Sequence, residues 1–432
     1  MIHRSMRALT ALTAIVGTAA LVFATQTQVE PSPSIDLSAI NQAAQSYTNA
    51  NEQLETMFRN GLTDTERESQ LEADGTVFVK TGDIPYEWLR DSSAQITPYL
   101  YFAKDHPGVA NFIKGVIERH AKSLALHPYA AALNVDYSVV WPRYELDSLL
   151  YPIQLAWQYW QKTGDKTVFT SNVYKGYAVA LQTMLTEQNH NTQSQYTDPG
   201  LVKTPVAYTG MIWSAFRSSD LGMVYNYSIP GNMMAVVVLK ELAQIEADIY
   251  HDSDKAAISL KLSSDVDQGI KKYGIVHSAE FGQVYAYEVD GLGHYVLMDD
   301  ANIPSLLAAP YVGYVPVSDP TYQNTRRLVL WPANPYFYEG RLARGIGSNN
   351  TPTGTIWPLG LLAQGLTATS VAERQEMLKY LLASDPGDHL LHESFNPNDQ
   401  KILTRPDFGW PNSLFAQFIM VGFLGYEPLP HL

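Results

Sequence analysis

Cysteine is absent from all 432 residues, which excludes disulfide bridges and a lipid-modified N-terminal cysteine. Positive charge is scarce. Lys and Arg number 29 against 43 Asp and Glu, and no basic stretch follows the first few residues. A nucleic-acid partner, which requires a basic surface to neutralise phosphates, is not expected. Linkers, charge blocks, low-complexity segments and repeats of fixed length are also missing between residues 36 and 432, so one continuous domain is the economical reading. The zinc-binding pattern H-E-x-x-H does not occur.

Apolar residues are plentiful at 46%, with 11% aromatic, enough to bury a large core. Arg4 and Arg7 precede the apolar run Ala8 to Ala24, and Val22-Phe23-Ala24 places small or tolerated residues at positions −3 and −1 of a cleavage site. Residues 1–24 therefore read as a secretory signal peptide, with an uncleaved anchor as the alternative. Residues 25–35, with Pro31 and Pro33, read as a flexible leader before a single domain at 36–432. Export without disulfides favours a bacterial periplasm or exterior. No membrane association is expected after cleavage, and a monomer is expected.

Past the leader, apolar residues recur with a helical period. Leu146, Leu149, Leu150, Ile153, Ala156, Trp157 and Trp160 form one stripe that Gly164 ends, and Val109, Phe112, Ile113, Val116, Ile117 and Leu124 form another before Pro128. Further helices are expected near 36–59, 92–104, 168–188, 232–250, 254–272, 301–309, 357–368, 371–384 and 411–421. Strand-like alternation is confined to short pieces such as 75–82 and 282–291. Roughly a dozen helices in this length suggest an all-α (α/α)6 toroid, with inner helices around a central cavity and short β-hairpins in the loops.

Polar and aromatic clusters fall between those helices: "WLRDSS" at 88–93, "WPRYELDS" at 141–148, "WSAFRSSD" at 213–220, "GHYVLMDDANIPS" at 293–305, "GIGSNNTPTGTIWP" at 345–358 and "HESFNPND" at 392–399. Converging on one end of a toroid, six such loops would build a carbohydrate pocket. Tryptophan offers a flat face to the C–H side of a pyranose, and Arg, Asp, Asn and Gln offer the paired hydrogen bonds that hydroxyls require. For each loop alone, core packing and an ordinary ion pair explain the pattern as well. Candidate contacts are Trp88, Arg90, Asp91, Gln95, Asp147, Arg217, His294, Asp299, Asp300, Asn302 and His392.

Glycoside hydrolysis needs two carboxyl groups flanking the scissile bond. Asp91, Glu145, Asp147, Asp220, Asp299, Asp300 and Glu393 are available, and spacing does not choose among them. Asp147 opens a helix, where N-capping is its expected work. Of Asp299 and Asp300, one is placed to cap a following helix and the other to face the pocket.

Seven runs taken together resemble glycoside hydrolase family 125: "GDIPYEWLRDSSAQITPYL", "YELDSLLYPIQLAWQYWQKTGD", "TGMIWSAFRSSD", "YSIPGNMMAVVVL", "GHYVLMDDANIPSLLAAPYVGY", "GIGSNNTPTGTIWPLGLLAQGLT" and "HESFNP" followed by "TRPDFGWPNSLFAQFI". The similarity covers nearly all of residues 36–425. It implies an exo-acting, inverting α-1,6-mannosidase on an (α/α)6 fold, working on mannose-containing oligosaccharides without metal or other cofactor. It further implies that Asp220 is the general acid and Glu393 the general base, with Trp88, Arg90 and Asp91 gripping the terminal mannose. Asp220 would then need to hold a proton while Glu393 stays ionised. One departure is Leu221, where the family usually carries a second aspartate; it bears on linkage preference. Asp388, His389 and His392 could turn toward one ion, yet no further ligands accompany them, and His392 reads better as an orienting partner of Glu393. The alternatives are another (α/α)6 specificity, such as an α-glucosidase or trehalase-like enzyme, and a non-catalytic glycan-binding protein.

Overall fold

The computed structural model describes residues 35–198 and 204–432. The expected signal peptide and nearly all of the expected leader lie outside the described residues. Thirteen α-helices are present among them. Six form an outer layer: α2 (Glu52–Arg67), α4 (Pro107–Leu126), α6 (Ser171–Gln188), α9 (Ser253–Gly269), α10 (Pro320–Val329) and α12 (Val371–Ala383). Five lie inside: α3 (Leu89–Ile96), α5 (Asp147–Thr163), α8 (Ile229–Asp248), α11 (Pro358–Leu366) and α13 (Gly409–Phe423). Two short helices, α1 (Ser38–Ser46) and α7 (His190–Gln193), are peripheral.

Burial separates the layers. Every residue of α3 is buried and α13 is buried continuously from Gly409 to Met420, whereas α12 buries only Met377 and Leu381. A helix apolar all round must be enclosed, and one with a single apolar stripe can face water. Within the ring α3 packs on α5, α5 on α8, α11 on α13, and α13 back on α3. The arrangement is an (α/α)6 toroid.

The sixth inner position is not helical. A helix was expected at 301–309, but residues 301–315 form successive turns. Pro304 and Pro310 lack the N–H that a helix needs. In addition, the Asp299 carboxylate accepts from Leu306 N at 2.9 Å and Leu307 N at 2.8 Å, drawing the chain into a loop. The segment still completes the wall, because Tyr151 on α5 donates to Ile303 O at 3.2 Å and Tyr311 donates to Gln417 on α13 at 3.0 Å. The expected helix at 36–59 is likewise two, with Asn51 capping α2 through a bond from Leu54 N. Gly164 ends α5 as expected, at φ 75°.

Strands are short hairpins in the loops. Glu87–Trp88 pairs with Ala132–Leu133, which pairs with Val139–Trp141, and Ser394–Asn396 pairs with Asp399–Thr404. The run 282–291 divides between two sheets, Gly282–Tyr285 pairing with Ile275–Ser278 and Glu288–Val289 with Tyr227–Ser228. Among the described residues no helix is long and apolar enough to cross a membrane.

Where α2 meets α13, a Cβ at Gly61 would lie 2.3 Å from Asn412 O, so only glycine permits that approach. Asp64 is buried at this contact, accepting from Asn412 Nδ2 at 3.3 Å and from Arg67. Burial pushes its carboxyl up to about 6, Asp407 adds to the shift, and Arg67 opposes it. The native state therefore binds this proton more tightly than the unfolded chain. The associated stability is present below about pH 4 and is lost as pH rises through about 6. Asp64→Asn, which cannot titrate, is expected to flatten that part of a melting-temperature profile. An unchanged profile would remove Asp64 as its source.

Candidate active site

The six polar loops meet at one end of the toroid around a cavity of about 410 Å3. Trp88, Arg90 and Asp91 enter from the start of α3, Trp141 from the end of the strand before α5 and Arg143 from the loop that follows it, and Asp220 and Leu221 from the loop before α8. Asn302 comes from the non-helical inner segment, Asn350 and Trp357 from the loop before α11, and Glu393, Arg405 and Phe408 from the hairpin region before α13. Five inner helices thus turn their N-termini toward this end, the ends that favour acceptors and negative charge.

Arg90 organises the floor. It is 1% exposed and contacts four carboxyl groups. Nε donates to Asp91 Oδ1 at 2.9 Å, Nη1 to Glu145 Oε2 at 2.6 Å and to Asp147 Oδ2 at 3.5 Å, and Nη2 to Asp220 Oδ1 at 3.2 Å. Burial disfavours the guanidinium charge, but these carboxyls outweigh it and hold Arg90 firmly protonated. One cation cannot neutralise four anions in a dry site, so some of the carboxyls keep protons. Burial pushes Asp91 up to about 6 against the pull of Arg90. It raises Asp147 likewise, and Glu145 well above the ordinary carboxyl range, with Asp220 as the second cause.

Asp147 is therefore not the cap expected of it. Leu146 occupies the N-cap position with no side-chain bond, and Asp147 turns to Arg90 instead. The reason is that a guanidinium attracts a carboxylate more strongly than free N–H groups do.

Asp220 sits at φ 63°, a left-handed conformation that costs a non-glycine residue energy and is held by its surroundings. Its N–H donates to Arg217 O at 2.9 Å, and its carbonyl accepts from Arg143 Nη1 at 2.9 Å. Arg143 is itself clamped, 4.1 Å from the Trp141 ring centre and 4.8 Å from that of Phe216. Glu393 lies across the cavity just before the Ser394–Asn396 strand. Burial raises its carboxyl, Arg405 and a Thr404 hydrogen bond lower it, and Asp220 raises it. Trp88 and Trp141, with ring centres 6.2 Å apart, supply the aromatic wall.

Several expected contacts lie elsewhere. Gln95 is one helical turn below Asp91 on α3, fully buried beneath the floor, where Nε2 donates to Lys80 O at 3.4 Å. The Arg217 guanidinium pairs with Glu288, whose other oxygen accepts from Val224 N and Tyr225 N; the pair shapes the loop that carries Asp220 without lining the cavity. His294 is 66% exposed and bonds Asp290 at 2.6 Å, outside the cavity because the turn at 290–294 points to solvent. Asp299 is consumed by the Leu306 and Leu307 amides, and burial pushes it up to about 8. Asp300 accepts from Ser219 Oγ at 2.7 Å and Ser348 Oγ at 3.2 Å, bracing the residue beside Asp220. His392 holds Arg405 O through Nδ1 at 2.9 Å and faces Asp388 at 3.3 Å, so it orders the chain around Glu393 without entering the cavity. His389 pairs with Asp385 at 2.9 Å, away from His392.

Residues the sequence reading did not single out complete the lining: Thr81, Ile84, Tyr86, Arg143, Asn350, Trp357, Arg405 and Phe408. Arg143, Asn350 and Trp357 belong to the same polar–aromatic loops, and that membership was the available signal; Thr81, Ile84, Tyr86, Arg405 and Phe408 lie outside those loops.

A toroid whose loops gather acids, an arginine and tryptophans over one cavity defines an (α/α)6 glycoside hydrolase. A bacterial glucoamylase bound to acarbose shares the fold, at TM-score 0.62 and 14% identity over 88% of this chain and 57% of that one. The sequence profile of the metal-independent α-mannosidases, GH125, matches residues 49–142 and 133–420, and the chain belongs to that family. A Streptococcus pneumoniae metal-independent α-mannosidase, determined in a non-productive complex with α-1,6-mannobiose, is 37% identical at TM-score 0.85, over 90% of this chain and 97% of that one. The meiotically up-regulated gene 157 protein of Schizosaccharomyces pombe is 37% identical over 389 residues, 79% of this chain and 76% of its own length. The protein is a glycoside hydrolase, an α-mannosidase, and the alternatives of another hexose specificity or a non-catalytic binder give way.

Proposed function

We propose that the protein is an inverting exo-α-1,6-mannosidase that removes single mannose residues from non-reducing ends. The observation that carries this reading is a cavity floored by the Arg90 cluster and lined by both Asp220 and Glu393. Arg90 and Asp91 bind hydroxyls of the terminal mannose, and Trp88 stacks on its apolar face. Glu393 takes a proton from water as the water oxygen attacks the anomeric carbon. Asp220 gives its proton to the glycosidic oxygen as the C–O bond breaks. Linkage preference rests on the mannobiose bound by the pneumococcal relative; Leu221 and Arg143, beside the acid, face the leaving sugar. The Arg4–Ala24 pattern supports export to a periplasm or exterior.

The test is a panel of α-1,2-, α-1,3- and α-1,6-mannobioses. The α-1,6 isomer is expected to be turned over at least about tenfold faster than the others, within the range that pocket contacts confer. EDTA should leave the rate unchanged. Equal turnover of the three isomers, or internal cleavage of a long mannan, would refute the reading.

A further inference from the structure

Asp220 has to carry a proton when the glycosidic oxygen departs and must become a carboxylate immediately afterwards. Its Oδ1 already faces the Arg90 guanidinium at 3.2 Å. What holds the rest of its carboxyl, and in which orientation, is not explained by Arg90 alone.

Glu145 is the neighbour the mechanism has not used. It is 1% exposed, two residues ahead of α5, with Oε2 taken by Arg90 Nη1 at 2.6 Å. Its Oε1 is fully buried and receives no donor. An ionised carboxylate in that position would leave a charged oxygen without water or a partner, which is costly. A protonated carboxyl removes the difficulty, since Oε1–H becomes a donor. The neighbouring acceptor is Asp220, which shares the Arg90 guanidinium with Glu145: Nη2 donates to Asp220 Oδ1 at 3.2 Å and Nη1 to Glu145 Oε2 at 2.6 Å. Burial and the Asp220 charge both raise the affinity of Glu145 for its proton, whereas Arg90 opposes it. Asp147, the other carboxyl facing this group, adds to the rise.

We propose that Glu145 is a permanently neutral positioning residue whose Oε1–H donates to the Asp220 carboxyl, aiming the acid at the glycosidic oxygen and stabilising the carboxylate left after proton transfer. The proposal rests on the assignment of Asp220 as general acid. No net proton is exchanged by Glu145. The proton lost to the leaving sugar comes from Asp220, which regains one from solvent through the cavity, while the Glu145 hydrogen bond strengthens as its acceptor becomes charged.

A neutral donor can be replaced by another neutral donor. Glu145→Gln keeps an N–H pointing at Asp220 and a carbonyl oxygen for Arg90, so kcat on α-1,6-mannobiose is expected to stay within about threefold of the parent. Glu145→Met keeps the volume and removes the donor. Its kcat should fall by on the order of 10², with KM little changed. The same variant should be nearly unaffected on α-mannosyl fluoride, whose leaving group needs no proton. If Gln is as damaging as Met, Glu145 works as an ionised partner of Arg90 and the proposal falls. It falls equally if Met impairs both substrates alike, which would place Glu145 in mannose binding. Should the Met variant not fold, the Gln variant alone decides, with retention supporting and a hundredfold loss overturning. Asp220→Asn on the same two substrates separates this outcome from failure of the acid assignment itself, because full activity of that variant would remove Asp220 whatever Glu145 does.

Discussion

Asp220→Asn is expected to lose on the order of 10²–10⁴ in rate on α-1,6-mannobiose, the range general acid catalysis supplies. The amide occupies the same volume in the same left-handed backbone and still meets Arg143 through its carbonyl, so the loss reports the missing proton, with packing unchanged. On α-mannosyl fluoride the variant should retain most of its activity. Glu393→Gln should fail on both substrates, since water has to be activated however good the leaving group is. With room for water between base and anomeric carbon, roughly 6.5–9.5 Å between carboxyls, the first-formed sugar is β-mannose, visible by NMR before mutarotation. First-formed α-mannose, or full disaccharide turnover by Asp220→Asn, would overturn the assignment.

Arg90→Met is expected to be the most damaging single change to the fold around the site. Four carboxyls converge on this guanidinium at 2% side-chain exposure. Removing it leaves buried negative charge without a counter-ion, which costs about 3–5 kcal/mol near neutral pH. The sign of its pH dependence is fixed by the groups left behind. Asp91 with its carboxyl raised to about 6, and Asp147 also raised, take up protons as pH falls, so the variant should regain stability in acid relative to the parent. Urea unfolding at several pH values reads this directly. A stability difference that does not shrink toward acid would mean that Arg90 matters by shape alone.

Helical periodicity carries the ring. The stripe from Leu146 to Trp160 became α5, and the nearly unbroken apolar α8 and α13 became inner helices because a segment apolar on all sides has to be enclosed. Repeated Trp–Arg–Asp loops were legible as one chemistry, and they do share one cavity. Where local rules compete, the sequence misled. At 301–309 Pro304, with Pro310 just beyond, and the Asp299 carboxylate defeat an apolar helical pattern, and at Asp147 a guanidinium from a distant loop displaces capping.

What the sequence determined by itself is therefore the alternation of enclosed and half-exposed helices and the residue types between them, since both depend on neighbours within a turn or two of chain. Which carboxyls meet was decided only by the tertiary structure. Arg90 lies 55 residues from Glu145 and 130 from Asp220, and no local pattern encodes that they share one guanidinium. The same closure sent Gln95 beneath the floor, His294 into solvent and Arg217 to Glu288. Side chains in similar loops reach the cavity or miss it according to where the ring places each backbone, a property of the assembled toroid and of no single segment.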